Sequence, residues 1–437
     1  LSTPIQEQFR CEKLSDRAHG YGMEGVTIDG NNVLEVYKTI DHFAKEVRTH
    51  PRPVLIECMT FRMRGHEEAS GTKYVPDELM DNWAAKDPVA RYEEYLKSIG
   101  LLSDAHIEET RMRYKTMIQE GLEEAFEAPA PSGDVAAERN DVYKSYAPTP
   151  VQPKNGSRTA KRFVDAISDG LRQSMDRYDN LVLMGQDIAE YGGVFKITDG
   201  FVERFGRERV RNTPLCESAI LGAAFGLSIR GYKSMVEMQF ADFVSTGFNQ
   251  IVNNLAKAHY RWGQPADVVV RMPTGAGVGA GPYHSQSNEA WFFHTPGLKI
   301  VYPSTPEDAK GLLTAAIEDP NPVLYFEHKY LYRSLTAEVP DDYYTTLIGK
   351  ARQVSEGEDL SIITYGTGVH WAQQVAEQFD AYSFDIVDMR TLLPYDKEAM
   401  LSSVQRTGKV IVLHEDTLTG GIGGEWASVI AAEAFEY

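Results

Sequence analysis

The chain has 437 residues, 42% of them apolar and 11% aromatic, enough for about three domains of ordinary size with cores of their own. Lys and Arg number 44 against 63 Asp and Glu, a net charge of −19. Nucleic acid and anionic membrane need a basic face, so the chain is a poor general binder of either. Cys11, Cys58 and Cys216 lie far apart and make no CxxC motif, which fits a reducing compartment better than a disulfide scaffold. There is no run of about 18 apolar residues, so no transmembrane helix is expected.

Short Val- and Ile-rich runs recur along the chain: Pro53–Cys58, Asn180–Gly185, Ala266–Val270, Lys299–Tyr302, Pro322–Phe326, Leu360–Thr364, Phe384–Asp388 and Lys409–Leu413. Continuous apolar runs predict strands buried on both faces. The stretches between them, such as Arg162–Arg177 and Pro306–Ile317, are long enough for helices. That alternation predicts α/β domains with largely parallel sheets. Tyr92–Glu127 is charged and helix-prone, and its irregular apolar spacing suggests two helices. Residues 128–158 carry Pro129, Pro131, Pro148, Pro150 and Pro153, a linker composition. A second boundary is expected near 335–355.

The common phosphate signatures are absent or misplaced. No GxxxxGK[ST] occurs. Gly20–Gly25 spells GxGxxG, but no apolar strand precedes it, so a Rossmann site is unsupported. No HExxH motif points to catalytic zinc. Three other arrangements carry chemistry. Thr213-Pro-Leu-Cys-Glu217 opens a small-residue stretch and puts Glu217 near a helix start, where the dipole favours an acid. It reads either as a first-turn charge or as a carboxylate facing a ligand nitrogen. Tyr283-His-Ser-Gln-Ser287 follows a glycine-rich loop, where a His can act as acid or base or simply cap a turn. Phe61-Arg-Met-Arg-Gly-His66 follows an apolar run, the place where open α/β sheets bind ligands, and reads otherwise as a solvated loop.

Together and in order, these segments resemble the E1 component of thiamine-diphosphate-dependent 2-oxo acid dehydrogenase complexes. Leu1–Pro4, Gly20-Tyr-Gly22, Val26–Asn31 and Phe61–His66 resemble the C-terminal part of an E1 α subunit. Tyr191–Phe195, Thr213–Glu217, Gln239–Phe243, Tyr283–Ser287, Thr295–Lys299 and Asp388–Pro394 resemble an E1 β subunit. The resemblance implies an α–β fusion of α/β class, with the thiamine-diphosphate-binding fold of parallel sheets flanked by helices. The implied domains are an α-like diphosphate-binding part (1–127), the linker (128–158), a β-like pyrimidine-binding domain (159–345) and an incomplete transketolase-type C-terminal domain (346–437).

By the same resemblance, Glu217 would bond N1′ of the cofactor's aminopyrimidine, with Leu215, Gln239 and Phe243 around that ring. His284 and His66 would face the substrate from the β-like and α-like sides, Arg62 would reach the diphosphate, and Ser2 would lie beside it. Mg²⁺ ligands are expected upstream of Leu1, and both ends are expected to belong to a longer protein. Ala316, Ile317, Asp319 and Asn321 would form a monovalent-cation loop for K⁺, or else an ordinary helix end. Gln186 stands where the family commonly has an acid, and Glu67 stands near a position phosphorylated in animal α subunits, against kinase control there.

The implied activity is oxidative decarboxylation of branched-chain 2-oxo acids such as 2-oxoisovalerate. The acyl group would pass to the lipoyl-lysine of an E2 acyltransferase, and the enzyme would be a cytoplasmic homodimer of fused chains. Alternatives are a pyruvate or acetoin dehydrogenase E1, a transketolase-like enzyme, or a non-catalytic assembly module.

Overall fold

The computed structural model describes residues 3–67, 69–154 and 156–437. The chain folds into two compact units, residues 1–132 and 133–437.

In the first unit, strands β1 (Glu24–Asp29) and β2 (Val54–Met59) pair in parallel. The helix Val33–Thr49 connects them, capped by the Asn32 side chain on Glu35 N. Gly30 stands where the strand ends approach closely: a Cβ there would lie 2.8 Å from Met59 O. Tyr92–Glu127 does hold two helices, Pro88–Ser98 and Asp104–Glu127, the second capped by Ser103. One expectation is corrected here. Pro53–Cys58 does not become a strand buried on both faces: β2 is half-buried to exposed, because β1 is its single partner among the described residues.

In the second unit the strands are β3 (Arg158–Arg162), β4 (Leu181–Gly185), β5 (Val210–Asn212), β6 (Lys233–Glu237), β7 (Val268–Thr274), β8 (Lys299–Val301), β9 (Val323–His328), β10 (Thr336–Pro340), β11 (Arg352–Ser355), β12 (Leu360–Thr364), β13 (Phe384–Asp388), β14 (Thr391–Leu393) and β15 (Val410–Leu413). Seven form one sheet in the order β14-β8-β9-β7-β6-β4-β5, parallel except for β14. Four form a second sheet, β11-β13-β12-β15, with β11 antiparallel. β3 and β10 pair antiparallel.

The apolar runs explain the large sheet. Along β4, Val182 and Met184 enter one core while Leu181 and Leu183 enter the other. Both faces are therefore buried, which is why the run is continuous rather than alternating. The helix Phe163–Arg177 covers one face with Ile167, Leu171 and Met175, spaced by one helical turn each. The helix Pro306–Glu318 packs beside it, started by Thr305 accepting from Asp308 N and by Pro306 in its first turn. Gly170 lets the two helices meet, since a Cβ there would lie 3.1 Å from Lys310 Cγ. β15 departs from the expected two-sided burial: it is half-buried to exposed, as the edge of its sheet.

The proline-rich stretch is not loose in the second unit. It contains a short helix, Val135–Asn140, capped by Asp134. It is then tied down by Tyr143 OH to Leu298 O (2.9 Å), Lys144 N to Asn321 Oδ1 (2.8 Å) and Val151 N to Thr345 Oγ1 (2.9 Å). Proline removes ladder donors but leaves the remaining groups free to bond sideways.

Candidate active site

Parallel strands deliver their C-terminal ends to one edge, and the segments leaving that edge carry Leu215, Glu217, Gln239, Phe243 and His284. Glu217 is the first residue of the helix Glu217–Ile229, with Cys216 at its N-cap. Its carboxylate sits at the positive end of the helix dipole. Oε1 accepts from Gln186 Nε2, just beyond β4, at 3.0 Å, and Oε2 accepts from Thr246 Oγ1 at 2.9 Å. Two neutral donors from separate segments thus fix one carboxylate. Leu215, 82% exposed, lines a cavity of about 700 Å³ with Glu217, Ser218, Thr246 and Gln250.

Thr246 Oγ1 also lies 3.0 Å from Phe243 O. A hydroxyl has one hydrogen, and the charged acceptor holds it better. Phe243 meets the ring of His284 edge-on at 5.5 Å, and Phe240 does so at 4.7 Å. Glu217, Thr246, Phe243 and His284 therefore form one contiguous set. Gln239 lies between β6 and the turn Ala241–Gly247 and is half-buried.

The loop bearing His284 is closed at its base. Gly275 N donates to Gln286 O at 3.1 Å, and Thr274 Oγ1 donates to the same oxygen at 3.0 Å. Asp242 Oδ1 accepts from Ser285 N and Gln286 N, both at 3.1 Å. Behind this edge Arg271 is fully buried between Glu237 and Glu327, and Tyr332 OH donates to Glu327 at 2.6 Å. Burial pushes the Glu237 carboxyl above its ordinary value, opposed by the Arg271 guanidinium.

In the first unit, Arg62 and His66 lie in the loop after β2 and are exposed. Arg62 Nη2 donates to His66 O at 2.8 Å, so the two side chains share a loop held by its own arginine. Ser2 lies outside the described residues.

The segment expected to form a cation loop makes bonds of its own. Asp319 pairs with the Lys299 ammonium, and Ile317 O accepts from Lys233 Nζ at 2.9 Å. Asn321 donates to Asp319 Oδ1 through both N and Nδ2 at 2.9 Å, and Ala316 is buried inside the helix. Lys299 thus neutralises Asp319, while Lys233, itself paired with Asp267, donates to a carbonyl of this segment. Among the described residues, no three His, Cys, Asp or Glu side chains are grouped to hold a metal ion.

An aminopyrimidine fits the second unit's residues. A fixed carboxylate offers an acceptor to a ring nitrogen. Gln186 Oε1, on a side chain 5% exposed, is buried without a partner among the described residues. The site residues that the sequence motifs did not single out are Thr246 and Asp242. Asp242 does fall within a segment that carries the resemblance. Thr246 gives no local signal.

Comparison with known proteins gives the family. Residues 1–133 match the family "Dehydrogenase E1 component". Residues 160–334 match "Transketolase, pyrimidine binding domain", and residues 349–437 match "Transketolase, C-terminal domain". The 2-oxoisovalerate dehydrogenase subunit beta of Bacillus subtilis (strain 168) is 49% identical over 275 residues, which is 62% of this chain and 84% of that protein. A pyruvate dehydrogenase E1 component subunit beta of Staphylococcus epidermidis is 39% identical, covering 62% of this chain and 85% of that protein. A solved structure described as "Split gene transketolase, inactive beta4 tetramer" superposes with a TM-score of 0.53 at 25% identity, over 62% of this chain and 84% of that one. The chain belongs to the E1 component of the thiamine-diphosphate-dependent 2-oxo acid dehydrogenases, with an α-like and a β-like part in one polypeptide.

Proposed function

We propose that this E1 acts on branched-chain 2-oxo acids, 2-oxoisovalerate first, and passes the acyl group to the lipoyl-lysine of an E2 acyltransferase. We place the chain in a homodimer of fused chains. The observation that carries this reading is the likeness to one 2-oxoisovalerate relative at 49% identity, against 39% and 41% for pyruvate relatives, although three further 2-oxoisovalerate relatives stand at 39–42%. When bound, thiamine diphosphate would supply a nucleophilic carbon for the 2-oxo group and an electron sink for decarboxylation.

The chain's own residues do the rest. Glu217 holds a proton at N1′ of the aminopyrimidine, and Gln186 and Thr246 fix its angle of approach. Leu215, which lines the cavity beside Glu217, would border the ring together with Gln239 and Phe243. His284, braced edge-on by Phe240 and Phe243, gives and takes protons at the substrate oxygen. In the α-like part, His66 is the group that would move protons, and the Arg62 guanidinium would draw a diphosphate through its charge.

The test is 2-oxo acid-dependent reduction of an artificial electron acceptor by the full-length polypeptide with thiamine diphosphate and Mg²⁺. Faster turnover of 2-oxoisovalerate than of pyruvate, lost in Glu217→Gln, is the expected result. A preference for pyruvate, the second reading favoured by the pyruvate relatives, would keep the mechanism and replace the substrate.

A further inference from the structure

The glycine loop that carries His284 is fastened from a distant part of the chain. Glu415 lies just beyond β15, in the segment that matches the C-terminal transketolase domain. Its Oε1 accepts from Ala276 N at 2.6 Å, 139 residues away. Its Oε2 accepts from Thr367 Oγ1 at 3.0 Å and lies 2.6 Å from His328 Nε2. His328 Nδ1 accepts from Tyr330 N at 3.3 Å. A ring nitrogen that accepts carries no hydrogen, so Nε2 holds the proton and donates it to Glu415.

The loop is seated against the same groups. A Cβ on Gly275 would lie 2.1 Å from His328 Nε2, and one on Gly277 would lie 3.2 Å from the Tyr330 ring. The glycine backbone therefore rests directly on the end of β9. Glu415 Oε1 reaches the next amide of the loop, that of Ala276, while its Oε2 meets the same His328 nitrogen. Three donors on a half-buried carboxylate are costly to lose, because each would then need water in a confined place. Burial alone would raise the Glu415 carboxyl; the bonds from His328, Ala276 and Thr367 overcome it and hold the group near 2.

We propose that Glu415 is a positioning residue for the reaction: by holding Ala276 N it sets the root of the glycine loop and so the place of His284. This rests on the reading of His284 as a substrate-facing group. It makes the C-terminal domain part of the machinery that orients the loop.

The test is a double-mutant cycle on the full-length polypeptide with thiamine diphosphate and Mg²⁺, measured by acceptor reduction. Glu415→Gln is expected to lower kcat about tenfold, the effect of one charge-assisted hydrogen bond, with KM for the 2-oxo acid changed less than twofold. In a His284→Ala background, Glu415→Gln is expected to have no further effect on kcat, because it acts through His284. A merely structural role would give additive losses. Additivity, or an unchanged kcat in Glu415→Gln alone, overturns the proposal and leaves the E1 reading standing. If Glu415→Gln does not fold, Thr367→Val, which removes one donor, is taken through the same cycle and judged by the same criterion. An unmodified protein without turnover would overturn the underlying reading instead.

Discussion

Gln186 Nε2 donates to Glu217 Oε1 at 3.0 Å, so the carboxylate at the helix start is steadied by an amide, at a position where the sequence resemblance implies an acid. An amide orients without competing for a proton. Replacing it by a carboxylate puts two acids in contact, and one of them must then hold a proton to higher pH. Gln186→Glu is therefore expected to move the acidic limb of the kcat–pH profile upward by about one unit. Gln186→Leu removes the bond without adding charge and is expected to slow turnover about tenfold with no shift of that limb. Identical pH profiles for the two variants would refute this account of Gln186.

Arg271 offers a stability test. It is fully buried, and Glu237 and Glu327 approach it from the neighbouring strands β6 and β9. Arg271→Met leaves two buried carboxylates facing each other without a cation. Breaking such a pair on one side costs about 3–5 kcal/mol. Urea unfolding is expected to show a loss of that order. A loss under about 1 kcal/mol, the worth of an exposed pair, would mean that the network is far better solvated than its burial indicates.

Much of the second unit was legible because its physics is local. The run Leu181–Gly185 is apolar at every position, and such a run is a central strand whose faces are both covered. The stretch Pro306–Ile317 is long enough for a helix between two apolar runs, and a helix, Pro306–Glu318, fills it. Glu217 was legible for the same reason, since a Pro, a turn and an acid before a small-residue stretch are a helix N-terminus. Its partners were not: Gln186 and Thr246 are 31 and 29 residues distant in sequence, and only the strand order brings them together. The Lys299 ammonium on Asp319 was hidden likewise, so an acid that read as a cation ligand is an ion-paired one. β2 and β15 share the sequence character of central strands, yet their burial depends on neighbours that composition does not specify.

Glu289 should make stability depend on pH near neutrality. It is fully buried, accepts from Tyr365 OH at 2.7 Å, and has a second oxygen buried without a partner among the described residues. Burial, with Asp416 and Glu415 nearby, pushes its carboxyl up to about 7. The folded state thus keeps a proton that the unfolded chain releases near its ordinary value of 4.5. Between those two values the folded state binds more protons, so stability falls as pH rises from about 4.5 to about 7 and then levels off. Glu289→Gln keeps the acceptor for Tyr365 and cannot ionise. At pH 8 it is expected to be more stable than the parent by up to roughly 3 kcal/mol, with no gain at pH 4. Equal midpoints for both proteins at pH 8 in urea would remove the case for a buried proton on Glu289.

Two glycines of one loop separate strain from contact. Gly275 has φ +83° and Gly279 has φ +71°, both in the left-handed region that disfavours a side chain. Alanine there costs about 1–2 kcal/mol in backbone strain at either site. Gly275 also lacks room, since a methyl there would stand 2.1 Å from His328 Nε2, whereas at Gly279 nothing among the described residues comes within 4 Å. Gly279→Ala is therefore expected to shift the unfolding midpoint slightly and leave turnover within a few-fold of the parent. Gly275→Ala must push the loop root off His328 and away from Glu415, moving His284 with it, and is expected to lower kcat at least tenfold more than Gly279→Ala. Equal kcat in the two variants would mean that the contact between Gly275 and His328 does not set the position of the loop.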